Sequence, residues 1–121
     1  MRVKRGITKR QRHNKVLNAV KGHLGARRRH YRYAKEAVTK SGINAYIGRK
    51  QKKRSMRSLW ITRINIAARD SGIKYSDFMH GLDLAGVNVN RKILAQLAVE
   101  DMDAFNSYVE IAKKHLVNNV Q

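Results

Sequence analysis

Two dense clusters of basic residues carry the side chains of this sequence that are suited to chemistry with phosphate. The first cluster, residues 22–33, reads Gly-His-Leu-Gly-Ala-Arg-Arg-Arg-His-Tyr-Arg-Tyr. Arginine presents a planar fork of donors that matches phosphate oxygens, and it also stacks on bases. Glycines let the backbone approach RNA closely, while Tyr31 and Tyr33 can stack on exposed bases. The alternative is a solvated charge run, but the interleaved tyrosines and glycines favour contact with RNA.

The second cluster, residues 49–54, reads Arg-Lys-Gln-Lys-Lys-Arg, and Arg57 follows one turn later. On a helix these residues would cover most of the circumference with positive charge. A helix with phosphate on several sides can use all of this charge, whereas a helix lying on a flat surface cannot. The pattern therefore favours insertion between RNA helices over docking in one groove. A nuclear-targeting signal is the alternative for such a run.

The side chains predicted to bind RNA come from both clusters, from a basic N-terminal arm and from the second half of the chain. They are Arg2, Lys4, Arg5, Lys9, Arg10, Arg12, His13, Lys15, Lys21, Arg27, Arg28, Arg29, Tyr31, Arg32, Arg49, Lys50, Lys52, Lys53, Arg54, Arg57, Arg63, Arg91 and Lys92. The arm could otherwise be a disordered tail, and a tail that orders on RNA satisfies both interpretations. A second RNA-binding face and ordinary surface charge are equally good interpretations of the basic residues of the second half, Arg63, Arg69, Lys74, Arg91 and Lys92.

Catalysis and metal binding lack a constellation of suitable residues. Cysteine is absent, so the chain has no disulfide framework and no thiolate metal site, and the five histidines are scattered without ligand spacing. One acidic pair, Asp101 and Asp103, lies at a predicted helix start. Neither a Walker-type phosphate loop nor a nucleophile motif occurs. The sequence therefore predicts a protein that is not an enzyme and that takes no cofactor, no metal and no small-molecule substrate.

The positive charge is concentrated in the first half of the chain. Residues 1–57 contain 20 Lys and Arg against a single acid, Glu36, for a net charge of +19, whereas residues 58–121 contain seven of each sign. A compact body with this excess repels itself and needs a polyanion as a partner. An anionic membrane is the alternative to nucleic acid. However, the chain has no stretch of 18 apolar residues, and its basic segment lacks a broad apolar face, so we expect no membrane partner.

The elements that position these residues are predicted to be helices, and no proline interrupts them. In the first half, the sequence from Thr8 to Gln11 matches a capping box. A long helix is expected from about Tyr31 into the second half, weakened at Gly42 and Gly48. The domains predicted from charge and pattern are a basic helical RNA-binding extension, residues 1–57, and a globular all-helical domain, residues 58–121.

In the second half, apolar residues at helical spacing predict four short helices around one core. The predicted inward positions are Leu59, Trp60, Ile64, Ala67 and Ala68, then Phe78, Met79, Leu82 and Ala85, then Ile93, Leu94, Leu97 and Ala98, and finally Phe105, Tyr108 or Val109, Ala112 and Leu116. Trp60 and Phe105 are expected to be the largest core members. The predicted helix starts are at Ser76, Asn90 and Asp101, and the predicted stops are at Gly72 and Gly86. The fold class is therefore all-α, with a long basic N-terminal helical extension and a small C-terminal globular helical domain.

Motifs along nearly the whole chain resemble one family, the bacterial-type large-subunit ribosomal protein numbered twenty, or bL20. The matching segments are residues 2–6, 12–17, 21–27, 49–54, 59–65, 75–78, 81–82 and 90–95, which include Arg-Lys-Gln-Lys-Lys-Arg and Leu-Trp-Ile-x-Arg-Ile-Asn. One departure is Tyr-Ile-Gly at residues 46–48, where the family pattern has a sequence like Tyr-Arg-Asp. The additional glycine puts the straightness of the long helix in doubt there, and not the assignment.

The resemblance implies a long helical extension that penetrates ribosomal RNA and a small helical C-terminal domain. It implies a structural constituent of the large ribosomal subunit that binds the large ribosomal RNA and helps early assembly beside neighbouring large-subunit ribosomal proteins. In some members the C-terminal domain also represses translation of its own messenger RNA, which makes that RNA a further expected partner. The expected location is the ribosome of the cytoplasm, with an organellar ribosome left open. A DNA-architectural protein is the alternative that shares the charge.

Overall fold

A computed structural model describes residues 6–118. These residues form an all-α fold. The elements are α1 (Ile7–Ala19), a short 3₁₀ turn (Gly25–Arg28), α2 (Tyr31–Asp70), α3 (Tyr75–Leu84), α4 (Arg91–Glu100) and α5 (Met102–Asn118). Within the described residues no strand is present, so the predicted all-α class is confirmed. The chain divides into two compact units, residues 1–51 and residues 52–121.

The first unit contains α1, the 3₁₀ turn and the beginning of α2. Its fully buried apolar side chains, among the described residues, are Val20 after α1 and Ala34 in the first turn of α2. Helix α1 begins at Ile7, with Gly6 as an N-cap that offers no side chain. The capping box predicted at Thr8 is therefore wrong, because Thr8 already lies inside the first turn and its hydroxyl caps no backbone amide.

Helix α2 is 40 residues long and runs without a break through Gly42 and Gly48. Every residue from 41 to 59 in it is exposed to solvent. The helix ends where the sequence predicted, at Gly72, which has a φ of +76°. The amide of Gly72 donates to Arg69 O and that of Ile73 donates to Ala68 O, both at 2.9 Å, which is the hydrogen-bond pattern of a Schellman cap.

The short helices of the second unit have caps that the sequence mostly identified. The Oδ1 atom of Asn90 accepts from the amide of Ile93 at 2.9 Å, and Oδ1 of Asp101 accepts from the amide of Ala104 at 3.0 Å. Gly86, with a φ of +69°, ends α3 as predicted. The predicted cap at Ser76 is wrong, because α3 begins at Tyr75 and the hydroxyl of Ser76 donates to Oδ1 of Asp77 instead of accepting from a backbone amide.

A single hydrophobic cluster lies among the second half of α2 and the helices α3, α4 and α5. Its largest fully buried side chains are Phe78 and Phe105, whose ring centroids are 5.3 Å apart at 43°. Trp60, predicted as a central member, is only partly buried and packs at the edge of the cluster. The predictions for Leu59 and Ile93 are wrong, since these side chains are 41% and 47% exposed. The inward arc of α4 is centred on Leu94 and Ala95 instead, which turns position 93 toward solvent.

Helices α3 and α5 approach each other closely at Gly81. A Cβ atom built on Gly81 would lie 2.6 Å from the carbonyl oxygen of Ala112 and 2.8 Å from its Cα. Those are backbone atoms, so a larger residue at this position would force the two helices apart.

Helix α5 also contacts the end of α2, because Lys113 Nζ donates to the carbonyl oxygen of Ser71 at 2.7 Å. A cation at a helix C-terminus is stabilised by the helix dipole.

We predict that Gly81→Ala lowers the free energy of unfolding of the full-length chain by about 1–3 kcal/mol, the usual cost of overpacking a core. Alanine is otherwise the better helix former, so the sign of the effect reports the steric contact with Ala112. Denaturant unfolding followed by circular dichroism measures the change. His80→Ala, at the adjacent exposed position of α3, is the control and should be near neutral. A Gly81→Ala protein as stable as the wild type would contradict the close helix contact.

Candidate nucleic-acid interface

The predicted RNA-binding residues of the first half lie mostly on solvent-exposed positions. Arg2, Lys4 and Arg5 are outside the described residues. The exposed basic positions on α1, in the connection to α2 and at its start are Lys9, Arg10, Arg12, Lys15, Lys21, Arg27, Arg28, Arg29 and Arg32. No described residue between 6 and 57 makes an ion pair through a basic side chain. The positive charges of this segment are therefore unpaired within the part of the chain that the structure describes.

Two of the predicted residues, His13 on α1 and Tyr31 on α2, are brought into contact with each other. Their rings stack with centroids 3.8 Å apart and planes inclined by 10°. Both side chains are half-buried. The histidine covers one face of the Tyr31 ring, so a base can stack on Tyr31 only from the opposite face. The sequence did not predict this pair, because the two residues are separated by a turn of unknown geometry.

The second basic cluster lies in the middle of α2, on the stretch from 41 to 59 in which every residue is exposed. This stretch is about 28 Å long at 1.5 Å per residue, and it contains six Lys and Arg and no acid. Successive helical residues differ by about 100° in direction, so Lys50 and Lys52 point to nearly opposite sides of the helix, and Lys53 lies between them, closer to Lys50. At this spacing the six basic residues span an arc of about 200°, somewhat more than half of the circumference, and the remaining side of the helix contains no charged residue.

The charges of this stretch also act on one another. Arg49 and Lys53, Lys50 and Arg54, and Lys53 and Arg57 are spaced four residues apart, and each such like-charge pair costs a helix about 0.2–0.5 kcal/mol. One contact acts in the opposite direction, since Lys50 Nζ lies 4.6 Å from the ring centroid of Tyr46. A cation over an aromatic face is attracted by the ring quadrupole. The balance favours binding of an anion, which would remove the repulsion.

The predicted residues of the second half are less uniform. Arg63 on α2 and Lys92 on α4 are exposed, whereas Arg91 is half-buried. The Nε–H of Arg91 donates to the hydroxyl of Tyr75 at 2.9 Å. Arg91 therefore ties the beginning of α4 to the beginning of α3, and only the remaining donors of its guanidinium are available to another partner.

A cleft of about 610 Å³ lies in the first unit, between the connection that follows α1 and one face of α2. Its lining includes His23 and Arg27 on one side, and Tyr33, Glu36, Lys40 and Asn44 on the other. The His23 ring is fixed, because its Nδ1 lies 3.0 Å from the carbonyl oxygen of Val20, which can only accept. Of these residues the sequence predicted only Arg27 as a binding residue, with Tyr33 as a possible stacking partner.

Other classes of site are not found among the described residues. Residues 6–118 contain no group of three or more His, Asp or Glu side chains arranged to hold a metal ion. Over the same range, no helix combines the length and apolar character that crossing a bilayer requires.

Comparison with known proteins gives matches over nearly the whole chain. A family model described as Ribosomal protein L20 matches residues 2–108. A protein of Kosmotoga olearia named large ribosomal subunit protein bL20 is 58% identical over 116 residues, which cover 96% of this chain and 98% of the relative. A protein of the same name from Thermotoga maritima is 55% identical, and the match covers 98% of this chain and the whole of the relative. One from Petrotoga mobilis is 53% identical, and the match covers the whole of both chains.

We predict that Lys53→Glu stabilises the middle of α2 in the free protein at low salt. The substitution turns two repulsive pairs, with Arg49 and Arg57, into attractive ones, and the gain of about 1 kcal/mol should slow amide exchange of residues 49–57 about fivefold. Hydrogen exchange at 20 mM and 1 M salt measures the effect, which screening should remove at the higher salt. Lys53→Gln only removes the repulsion, so its amide exchange rate should fall between those of the wild type and of Lys53→Glu. Equal exchange in all three proteins at low salt would contradict the repulsion.

Proposed function

The chain belongs to the ribosomal protein L20 family, and from that premise we propose that it binds the large ribosomal RNA through the basic residues of its first half. Members of this family are components of the large ribosomal subunit and not enzymes. This chain is likewise a ribosomal protein of the large subunit and not an enzyme. The observation that carries the proposal is the stretch of α2 from 41 to 59, which is exposed on all sides and contains only basic charges. A helix of this kind is stabilised by a partner that supplies negative charge around it.

The physical basis of binding is the release of counterions from phosphate. Each Lys or Arg that neutralises a phosphate frees a condensed cation, so the affinity falls steeply as salt is added. With about 8–10 phosphate contacts, the affinity should fall on the order of a thousandfold or more between 50 and 200 mM salt. Specificity then comes from RNA shape and from unpaired bases, because side chains cannot read the deep groove of an A-form helix.

The distribution of charge around α2 favours a particular mode of binding. Lys50 and Lys52 point to nearly opposite sides of the helix, so a flat RNA surface would leave part of the charge unused. We propose that this stretch lies between RNA helices and neutralises phosphates that otherwise keep those helices apart. That action explains a role in early assembly of the large subunit, because repulsion between RNA helices opposes their packing before neighbouring ribosomal proteins bind.

The two halves of the chain divide this work. We propose that residues 1–57 form the RNA-binding extension and that residues 58–121 form a neutral folded domain that anchors it. In the second domain, Arg63 and Lys92 are the exposed basic side chains proposed to add RNA contacts. Repression of its own messenger RNA stays an expectation from the family resemblance, since no feature of the described residues favours it over binding of ribosomal RNA.

Neutralising the second cluster should weaken binding to the large ribosomal RNA. For the triple variant Lys52→Gln, Lys53→Gln, Arg54→Gln, we expect at least tenfold weaker binding at 100 mM salt. The slope of log K against log salt should become shallower by about 2–3, the value for three lost phosphate contacts. Filter binding of the full-length protein between 50 and 200 mM salt measures both quantities, with duplex DNA as a competitor to test the DNA-architectural alternative.

The matched control removes three positive charges from exposed positions of the second half, as Arg69→Gln, Lys74→Gln, Lys114→Gln. Its salt slope should stay close to that of the wild type, because these residues lie outside the proposed extension and are not the side chains, Arg63 and Lys92, proposed to add RNA contacts. If the slope of log K against log salt becomes shallower by the same amount in both triple variants, binding depends on net charge alone and the proposed extension is wrong. Duplex DNA that displaces the RNA at equal concentration would favour the DNA-architectural alternative.

A further inference from the structure

We propose that the cleft between the connection after α1 and the face of α2 binds one unpaired guanine of the RNA, and that Glu36 accepts hydrogen bonds from its Watson–Crick edge. This inference rests on the proposed function, since it assigns a base-reading site within the same basic segment. The ring of Tyr33 supplies the stacking surface, and Arg27 and Lys40 supply charge for the phosphate of the nucleotide.

Glu36 is the unusual residue of this cleft. It is the single acid among residues 1–57, where 20 Lys and Arg are present. Arg32 and Lys40 are each one helical turn away, a spacing that permits ion pairs, yet the Glu36 carboxylate makes no ion pair and no hydrogen bond with any described residue. The side chain thus has no evident role in stabilising α2. It lines the cleft instead, and no residue between 6 and 118 uses its acceptor capacity.

An isolated carboxylate in an RNA-binding segment repels phosphate and lowers the affinity unless it receives hydrogen bonds. A carboxylate is a pure acceptor with two oxygens. Guanine presents two adjacent donors, N1–H and N2–H, on its Watson–Crick edge, which match those two oxygens. Adenine, cytosine and uracil each place an acceptor beside the donor on that edge, and this acceptor would face a carboxylate oxygen. The chemistry of Glu36 therefore selects guanine among the four bases.

The other walls of the cleft fit a nucleotide that is turned out of an RNA helix. Tyr33 is 51% exposed, so part of its aromatic surface is available for stacking, and His30 packs against it in a T-shaped arrangement with the ring centroids 6.5 Å apart. Tyr33, Glu36 and Lys40 follow one another at spacings of three and four residues, which places them on one face of α2. Unpaired bases in RNA are recognised in this way, by stacking on an aromatic ring and by hydrogen bonds to the base edge.

The size of the cleft agrees with this assignment. Its volume of about 610 Å³ lies within the range of roughly 300–1,000 Å³ that is typical of small-ligand sites. The wall opposite α2 is held in place, because the His23 ring is hydrogen-bonded to the backbone at Val20. A base that enters between this wall and Tyr33 meets Glu36 at its edge and basic side chains at its phosphate.

The test uses short RNA probes and the full-length protein. Fluorescence anisotropy at 50 mM salt measures binding of labelled UUGUU, UUAUU, UUCUU and UUUUU. We expect the wild type to bind UUGUU about tenfold or more tightly than the other three, within the range of roughly 1–3 kcal/mol for a bidentate base contact. Glu36→Gln should reduce this preference to about twofold or less. It should also bind the other three probes slightly more tightly, because a negative charge is lost.

The matched control is Glu110→Gln, which removes the same charge from an exposed position of α5 and should keep the preference for guanine. Equal binding of all four probes by the wild type would overturn the inference and leave RNA binding intact. A Glu36→Gln protein that binds all probes more tightly but still prefers UUGUU would overturn it too, since Glu36 would then act only through its charge. Failure to bind UUGUU at millimolar concentration, with the large ribosomal RNA still bound, would also overturn it. Failure to bind the ribosomal RNA itself would instead refute the proposed function.

Discussion

Repulsion between like charges along the first half of the chain is the constraint on which the rest of the structure depends. Residues 1–57 have a net charge of +19, and a compact arrangement of this segment would bring those charges closer together and remove water from them. Accordingly, its described residues fully bury only Val20 and Ala34, and the stretch from 41 to 59 stays in solvent. The second half has no net charge, so burial of apolar surface around Phe78 and Phe105 meets no such opposition. The second half thus contains the hydrophobic core, and the first half keeps its charge exposed to solvent.

Features that depend on a few neighbouring residues could be predicted from the sequence. Asn90 and Asp101 cap their helices because a short acceptor side chain before an apolar repeat satisfies a free amide. Gly72 ends α2 because only glycine adopts a positive φ there at low cost. The predicted caps at Thr8 and Ser76 failed for a related reason: each helix begins one or more residues earlier, at a position without a capping side chain. Local propensity identifies the existence of a helix more reliably than its first residue.

Features that depend on how helices pack could not be predicted. The contact between Gly81 and Ala112 joins residues 31 positions apart, and a periodic pattern does not distinguish a glycine needed for close packing from one that is merely tolerated. The same holds for Leu59 and Trp60, since their burial depends on where α3 to α5 cover α2. In the candidate site, the basic clusters were apparent from composition. The role of Glu36 had one sequence signal, a single acid in a basic segment, but the cleft beside it required the fold.

Lysine reactivity in the assembled large subunit tests the central claim most directly. Acylation of Lys50, Lys52 and Lys53 can be compared between the free protein and intact subunits by mass spectrometry, with Lys114 as a reference outside the basic segment. Enclosure of α2 by RNA predicts that all three lysines lose most of their reactivity on assembly, although Lys52 points to nearly the opposite side of the helix from Lys50. If one of them reacts in subunits as fast as in the free protein, α2 lies on the surface of the RNA, and the account of a helix surrounded by phosphate is wrong.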